Sequence, residues 1–238
     1  MILSPVTIWK KFDLTQPLNA ETEAETLTPA GFVAQNVRLD GHLLADGGRV
    51  KIFARFTKPH GSEAAPALLL LPDADDDGAE LADYFAAKGY ATLIPDYCGR
   101  RGGKGTGKIT KSDTAENEAD AAKEDVAKAD AANAEEIAAE EIAAEVNTDG
   151  GKKNYTVYPE AADYANYEVS GAPAYLESES VENSAWMEWA YVALYAAEYL
   201  KTREDIGKIG VAGVRLGGEI AWMTLLSPDI SCGVAINA

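Results

Sequence analysis

The 238-residue sequence has few of the residue types that carry most chemistries. Its two cysteines, Cys98 and Cys232, give neither a disulfide framework nor a metal-ligand spacing, so both read as thiols of a cytoplasmic protein. Only two histidines are present, His42 and His60, and none follows residue 60. No apolar run approaches the roughly 20 residues of a membrane span, and "APALLLLP" is far short of it. The opening "MILSPVTIWKKFDL" lacks a basic segment leading into a long apolar run, so no signal peptide is expected. Positive charge is scarce. Lysine and arginine number 21 against 39 acids, and the net charge of −18 repels polyphosphate and anionic lipid. Nucleic acid and membrane are thereby excluded as partners.

The negative charge is concentrated. Residues 111–150 hold thirteen acids and three lysines, so ten of the eighteen excess negatives lie there. That stretch is rich in Ala, Glu, Asp and Lys, with Val126, Ile137, Ile142 and Val146 as its large apolar residues. Its helix propensity is high but it has little to bury, which predicts a solvated helical insertion over 111–154. The remainder is expected to be one domain spanning 1–238, with residues 1–30 as a docked arm anchored by Ile2, Ile8, Trp9 and Phe12.

Outside the insertion, "FVAQNVRL" and "RVKIFARFTKP" alternate and flank the turn-rich "DGHLLADGG", which predicts an antiparallel pair. "PALLLLP" and "ATLIPDY" read as strands buried on both faces. Between them "GAELADYFAAKGY" has helical spacing at Leu81, Tyr84, Phe85 and Lys88 and stops at Gly89, completing a βαβ unit. "ENSAWMEWAYVALYAAEYLKTR" predicts an amphipathic helix, capped by Asn183 or Ser184, with Trp186, Trp189, Ala193, Ala196 and Leu200 on one face. "KIGVAGV", "GGEIAWMTLL" and "CGVAINA" read as strand, helix and strand.

Antiparallel pair, βαβ units and then a strand–GxxxG–helix turn together resemble the α/β-hydrolase superfamily, in its acetyl xylan esterase and dienelactone hydrolase branch. The resemblance rests on "LLLLPDADDDGAELADYFAAKGYATLIPDYCGR", the tryptophan-rich helix and "IGVAGVRLGGEIAW". It implies a three-layer α/β sandwich with a mostly parallel sheet, truncated after the sixth strand, in which the strands ending at Leu71 and Val214 are neighbours. It also implies carboxylic-ester hydrolysis, with a nucleophile at the position occupied by Arg215 and a histidine base far downstream. A guanidinium does not deprotonate and cannot attack a carbonyl, and no downstream histidine exists. The oxyanion donors implied by the resemblance would be the backbone N–H of Leu216 and the loop beginning Asp73–Ala74, whose acids oppose a developing negative charge.

Three roles for the chain are open at this stage. One is a hydrolase fold without turnover, in which Arg215 pairs with Asp73 or Asp75, or holds a small anionic or acetylated-sugar ligand. Another is an esterase whose site is completed by a second chain or by a missing carboxy-terminal half, with Cys98 and Ser231 as the nearest nucleophilic side chains. The third is an interaction protein that uses the acidic helix. "CGVAINA" would leave an apolar sheet edge, so self-association near Ala235 is expected.

No metal or cofactor is expected. "DADDDG" opens like a calcium loop but places Tyr84 where a bidentate glutamate is required. "GGKGTGK" (102–108) has Ile109 where a phosphate loop needs Ser or Thr. Tyr155, Tyr158, Tyr164 and Tyr167 are read as packing residues rather than as a sugar platform.

Overall fold

A computed structural model of the chain describes residues 13, 15–44, 47–61, 64–74, 76–99, 154–159 and 185–237. The acidic segment 111–153, the basic loop 100–110, Tyr164, Tyr167, Asn183, Ser184 and Asp75 lie outside the described residues. The elements run β1 (Glu21–Thr22), β2 (Thr26–Leu27), β3 (Val33–Leu43), β4 (Arg49–Lys58), β5 (Ala65–Leu71), α1 (Ala79–Ala87), β6 (Ala91–Pro95), α2 (Ala185–Lys201), β7 (Ile206–Val214), α3 (Leu216–Thr224) and β8 (Ile230–Ile236).

One sheet takes in every strand, in the order β1-β3-β4-β6-β5-β7-β8, with β2 also on β3. β3 and β4 are antiparallel, and so are β4 and β6, whereas β6, β5, β7 and β8 are mutually parallel. Beyond the six expected strands, residues 21–27 add β1 and β2, both antiparallel to β3. Leu71 pairs with Gly213, so the loops after β5 and β7 leave the sheet side by side as expected. The apolar runs are central because both faces are covered: Leu69 and Leu71 join the cluster under α2 and α3, while Leu70 and Ile94 join Ala82 of α1 on the other face. Among the described residues, a helix on one face and two on the other make three layers.

Three details differ from the sequence expectation. β3 continues through "GHL", and a register irregularity between Asp40 and Leu43 absorbs the residues read as turn. α1 buries Ala82 and Ala86 and leaves Tyr84 exposed, so its core face lies one position further round the helix. α2 is buried on nearly every side rather than on one face, since it packs on β3, β5, β6 and β7 and also against α3.

The entry to β7 is tied down electrostatically. Arg203 grips Asp205 with two hydrogen bonds of 2.8 Å, Lys58 Nζ donates to the same carboxylate at 3.0 Å, and the Arg203 guanidinium lies 4.0 Å from the centre of the Phe56 ring. The Arg203 hydrogen bonds pull the Asp205 pKa down to about 2 against the effect of burial, with Lys58 adding to the shift. A depressed folded-state pKa stabilises fully above the unfolded value of about 3.9 and loses that contribution as pH falls towards 2. Asp205→Asn is therefore expected to lower stability by roughly 2 kcal/mol at neutral pH and by much less near pH 2. Urea unfolding at pH 7, 4 and 2 measures both values.

Candidate functional site

The site is the turn between β7 and α3 together with the loop after β5. Arg215 occupies the turn with φ 50 and ψ −119, a strained backbone for a residue with a side chain. Its N–H donates to Ile236 O of β8 at 2.8 Å, and its carbonyl accepts from the N–H groups of Gly218 and Glu219 at 2.8 and 3.1 Å. The flanking glycines are required by close approach. A Cβ on Gly213 would lie 2.1 Å from Gly217 O, and one on Gly217 would lie 1.9 Å from Leu71 O. Strand, glycine, strained residue and helix thus form a nucleophile-elbow geometry. The side chain it presents is a cation.

Asp73 faces that cation. Arg215 Nη1 donates to Asp73 Oδ2 at 3.4 Å, and the other carboxylate oxygen, Oδ1, accepts from the N–H of Ala74 at 3.0 Å. The Arg215 side chain is 69% exposed, so the pair contributes at most about 1 kcal/mol. It still offsets the roughly 0.3–1 kcal/mol penalty of a cation at the amino end of α3. The Ala74 N–H, expected to serve as an oxyanion donor, therefore already serves Asp73. Leu216, the other expected donor position, opens α3 and packs against the core.

Two further acids of the loop make local bonds. Asp76 Oδ1 accepts from Gly78 N–H and Asp77 Oδ1 from Ala79 N–H, each at 2.8 Å, holding the amino end of α1. Tyr97 OH donates to Pro72 O at 2.7 Å, and Trp186 Nε1 to Glu219 Oε2 at 3.2 Å, so the loop and α3 are both braced from neighbouring elements. Among the described residues no group of three or more His, Cys, Asp or Glu could hold a metal.

The other candidates are not brought to the elbow. Cys98 is buried in the turn after β6. Ser231 stands near the opposite end of β8 from Ile236, roughly 16 Å along the strand. His60 lies in the exposed turn between β4 and β5, at the other end of the sheet. His42, near the carboxyl end of β3, is four strand spacings from β7, roughly 19 Å, and its Nδ1 lies 3.0 Å from Glu188 Oε2. That pair was not anticipated from the sequence. The polar alternation of Asn36, Arg38, Asp40 and His42 was the available signal.

No family model matches the chain, and no curated protein matches it in sequence. Solved structures do match. The acetyl xylan esterase from Paenibacillus sp. R4 aligns over 97% of this chain with a TM-score of 0.55 at 16% identity. Acetyl xylan esterase 1 from Thermoanaerobacterium sp. JW/SL YS485 aligns over 97% with a TM-score of 0.56 at 12% identity. The chain has the fold of the α/β-hydrolases. A glucuronoyl esterase from Solibacter usitatus aligns over 97% with a TM-score of 0.50 at 14% identity. The chain spans 56% of the length of each of these three structures. Within the hydrolase fold, the Arg215 turn stands after β7 and beside the β5 loop, where strand order reverses and α/β proteins place their sites.

Proposed function

We propose that this chain is an esterase-like α/β-hydrolase scaffold without serine-hydrolase turnover. The observation that carries the reading is the elbow itself: backbone strain and both glycines are kept, yet the residue displayed is Arg215, paired with Asp73 across the site. Acyl transfer needs a nucleophilic oxygen or sulfur with a base in reach and donors aimed at the oxyanion. Here the turn displays a permanent cation, the Ala74 N–H is taken by a carboxylate, and among the described residues no hydrogen bond joins a histidine to a serine or cysteine. We assign the protein to the cytoplasm, which suits a chain whose two cysteines, Cys98 and Cys232, have no framework spacing.

The test is hydrolysis of p-nitrophenyl acetate by the wild-type chain and by Arg215→Ser. Both are expected to match the buffer rate, because the serine variant gains a hydroxyl but no base. A wild-type rate well above buffer that is abolished by Cys98→Ala or Ser231→Ala would overturn the reading.

A second reading, in which the scaffold works by assembly with a second copy of itself, is favoured by β8. Residues Ser231 to Ile236 are all exposed, including the large apolar side chains of Val234 and Ile236. The strand carries no charge to discourage pairing. Because Ile236 O accepts from Arg215, the alternating backbone groups of Ser231, Gly233 and Ala235 aim away from β7. Two such edges can pair antiparallel about Gly233. Sedimentation showing a monomer at all accessible concentrations excludes this assembly and leaves the first reading intact.

A further inference from the structure

We propose that α3 is the second layer of a self-association face, its exposed apolar stripe packing against α3 of a second copy above the paired β8 edges. The face rests on the self-assembly reading of β8 and adds the residues that would anchor it. Trp222, Leu225 and Leu226 stand at positions i, i+3 and i+4 of α3 and the turn that ends it, so they share one flank. Trp222 is 70% exposed and Leu226 53%.

The stripe reaches the edge strand. A Cβ on Gly233 would lie 2.5 Å from Leu225 Cδ2, so the Leu225 side chain rests directly on β8. Cys232 takes the opposite face of the sheet. A Cβ on Gly210 would meet both Cys232 Sγ and Leu68 Cδ2 at 3.1 Å, and Leu68 packs with the cluster under α1. Alternation then places Ser231, Gly233 and Ala235 on the α3 side, and Cys232, Val234 and Ile236 on the α1 side.

Symmetry turns this stripe into a self-complementary contact. A two-fold axis normal to the sheet, set where Gly233 meets Gly233 of the second copy, pairs the β8 edges antiparallel and keeps both α3 helices on one face. α3 packs on both β7 and β8, so its own axis lies about one strand spacing, roughly 5 Å, from that two-fold. The two helices then stand about 10 Å apart, the separation at which helices pack. Leu225, resting on Gly233, meets Leu225 of the second copy across the axis, and Trp222 and Leu226 close over the contact.

Charge and area both favour a second copy as the occupant. The chain carries −18, yet from Ile220 to Ala238 its one charged side chain is Asp229, which pairs with Lys201 of its own protomer at 2.7 Å. Glu219, at the start of α3, accepts from Trp186 Nε1 on the α2 side. The face is therefore locally neutral and two copies meet without like-charge repulsion across it. Val234 and Ile236 are 55% and 48% exposed, and with the smaller edge residues, Trp222 and Leu226 they present on the order of 600 Å² per protomer. Two such faces bury about 1,200 Å² in total, the lower end for a stable interface. The β8 edge alone supplies roughly half of that, so the α3 layer decides whether the assembly holds.

The experiment is sedimentation of the full chain from about 1 to 300 μM, with oxidative crosslinking alongside. The wild-type chain is expected to dimerise, and Trp222→Glu to weaken the dimer at least tenfold. Because Trp222 is well exposed, its variant is expected to keep the wild-type urea midpoint at concentrations where both are monomeric. Pairing about Gly233 makes Cys232 and position 234 of the second copy a non-hydrogen-bonded pair with Cα atoms about 4.5 Å apart, within disulfide reach. Val234→Cys is therefore expected to give covalent dimers on oxidation, whereas wild-type Cys232 and its counterpart, set on a diagonal, give none. A wild-type chain that stays monomeric throughout overturns the β8 pairing and the helical layer together. Crosslinking through Val234→Cys with no effect of Trp222→Glu overturns the helical layer and leaves the β8 pairing intact. A dimer weakened by Trp222→Glu that does not crosslink overturns the register on which the two-layer face is built.

Discussion

Replacing Gly217 with alanine is expected to abolish folding of the chain, at a cost above about 4 kcal/mol. The added Cβ would stand 1.9 Å from Leu71 O and 2.5 Å from Pro72 O, and both are backbone atoms. Leu71 is the last residue of a strand paired on both sides, so it cannot retreat without opening the β5–β7 register. Near-ultraviolet circular dichroism and urea unfolding of the purified variant measure the effect, and a cooperative transition at the wild-type midpoint would show that the turn is looser than its geometry implies. Arg215→Gly acts in the opposite sense. The dihedrals φ 50 and ψ −119 suit glycine and strain any residue with a Cβ, so stability is expected to rise by about 1 kcal/mol. Strain that serves chemistry is normally retained by selection on the rate. Here it surrounds a residue with no nucleophilic atom, at a turn where β5, β7 and α3 pack closely.

How much of this was legible beforehand depends on the range of the forces involved. The buried runs at 67–71 and 91–95 could only be central strands, and the glycine spacing at 213 and 217 marked the strand-to-helix turn, because both are local patterns. The facing of Asp73 and Arg215 followed once β5 and β7 were taken as neighbours, and the contact measures 3.4 Å. Burial around α2 was not legible. The sequence put Trp186, Trp189, Ala193, Ala196 and Leu200 on one buried face, whereas the sheet and α3 also enclose most of the remaining positions. The strand continuation through Gly41 and His42 was masked by turn-forming composition. A Cβ at Gly41 would meet Ile52 Cδ1 at 2.8 Å, so that glycine is there for close approach in the hairpin. The pairing of Glu21 with Arg38 and of Val157 with Lys51 was not legible, since nothing local specifies either long-range contact.

Removing His42 is the other substitution with a large expected effect. Glu188, in the first turn of α2, is 3% exposed, and both of its carboxylate oxygens lie 3.0–3.1 Å from His42 Nδ1. The His42 ring also meets Tyr191 edge-on at 5.1 Å. His42→Leu leaves a buried carboxylate without this partner, and breaking such a pair from one side costs about 3 kcal/mol or more. The double variant His42→Leu/Glu188→Leu removes the stranded charge and is expected to recover most of that loss. Urea unfolding of the four members of the cycle at pH 7 gives the coupling directly. If the double variant is no more stable than His42→Leu alone, the cost belongs to lost packing on Tyr191 and not to the charge. The pair also bears on the proposed lack of turnover. An imidazole oriented by a carboxylate is what a general base requires, and this chain builds one at the carboxyl end of its sheet. It builds it on β3 and α2, four strand spacings from Arg215, where it joins the first turn of a buried helix to the end of a strand. The histidine with a base-like partner is thus consumed by the fold, and the turn that could have used it displays a cation.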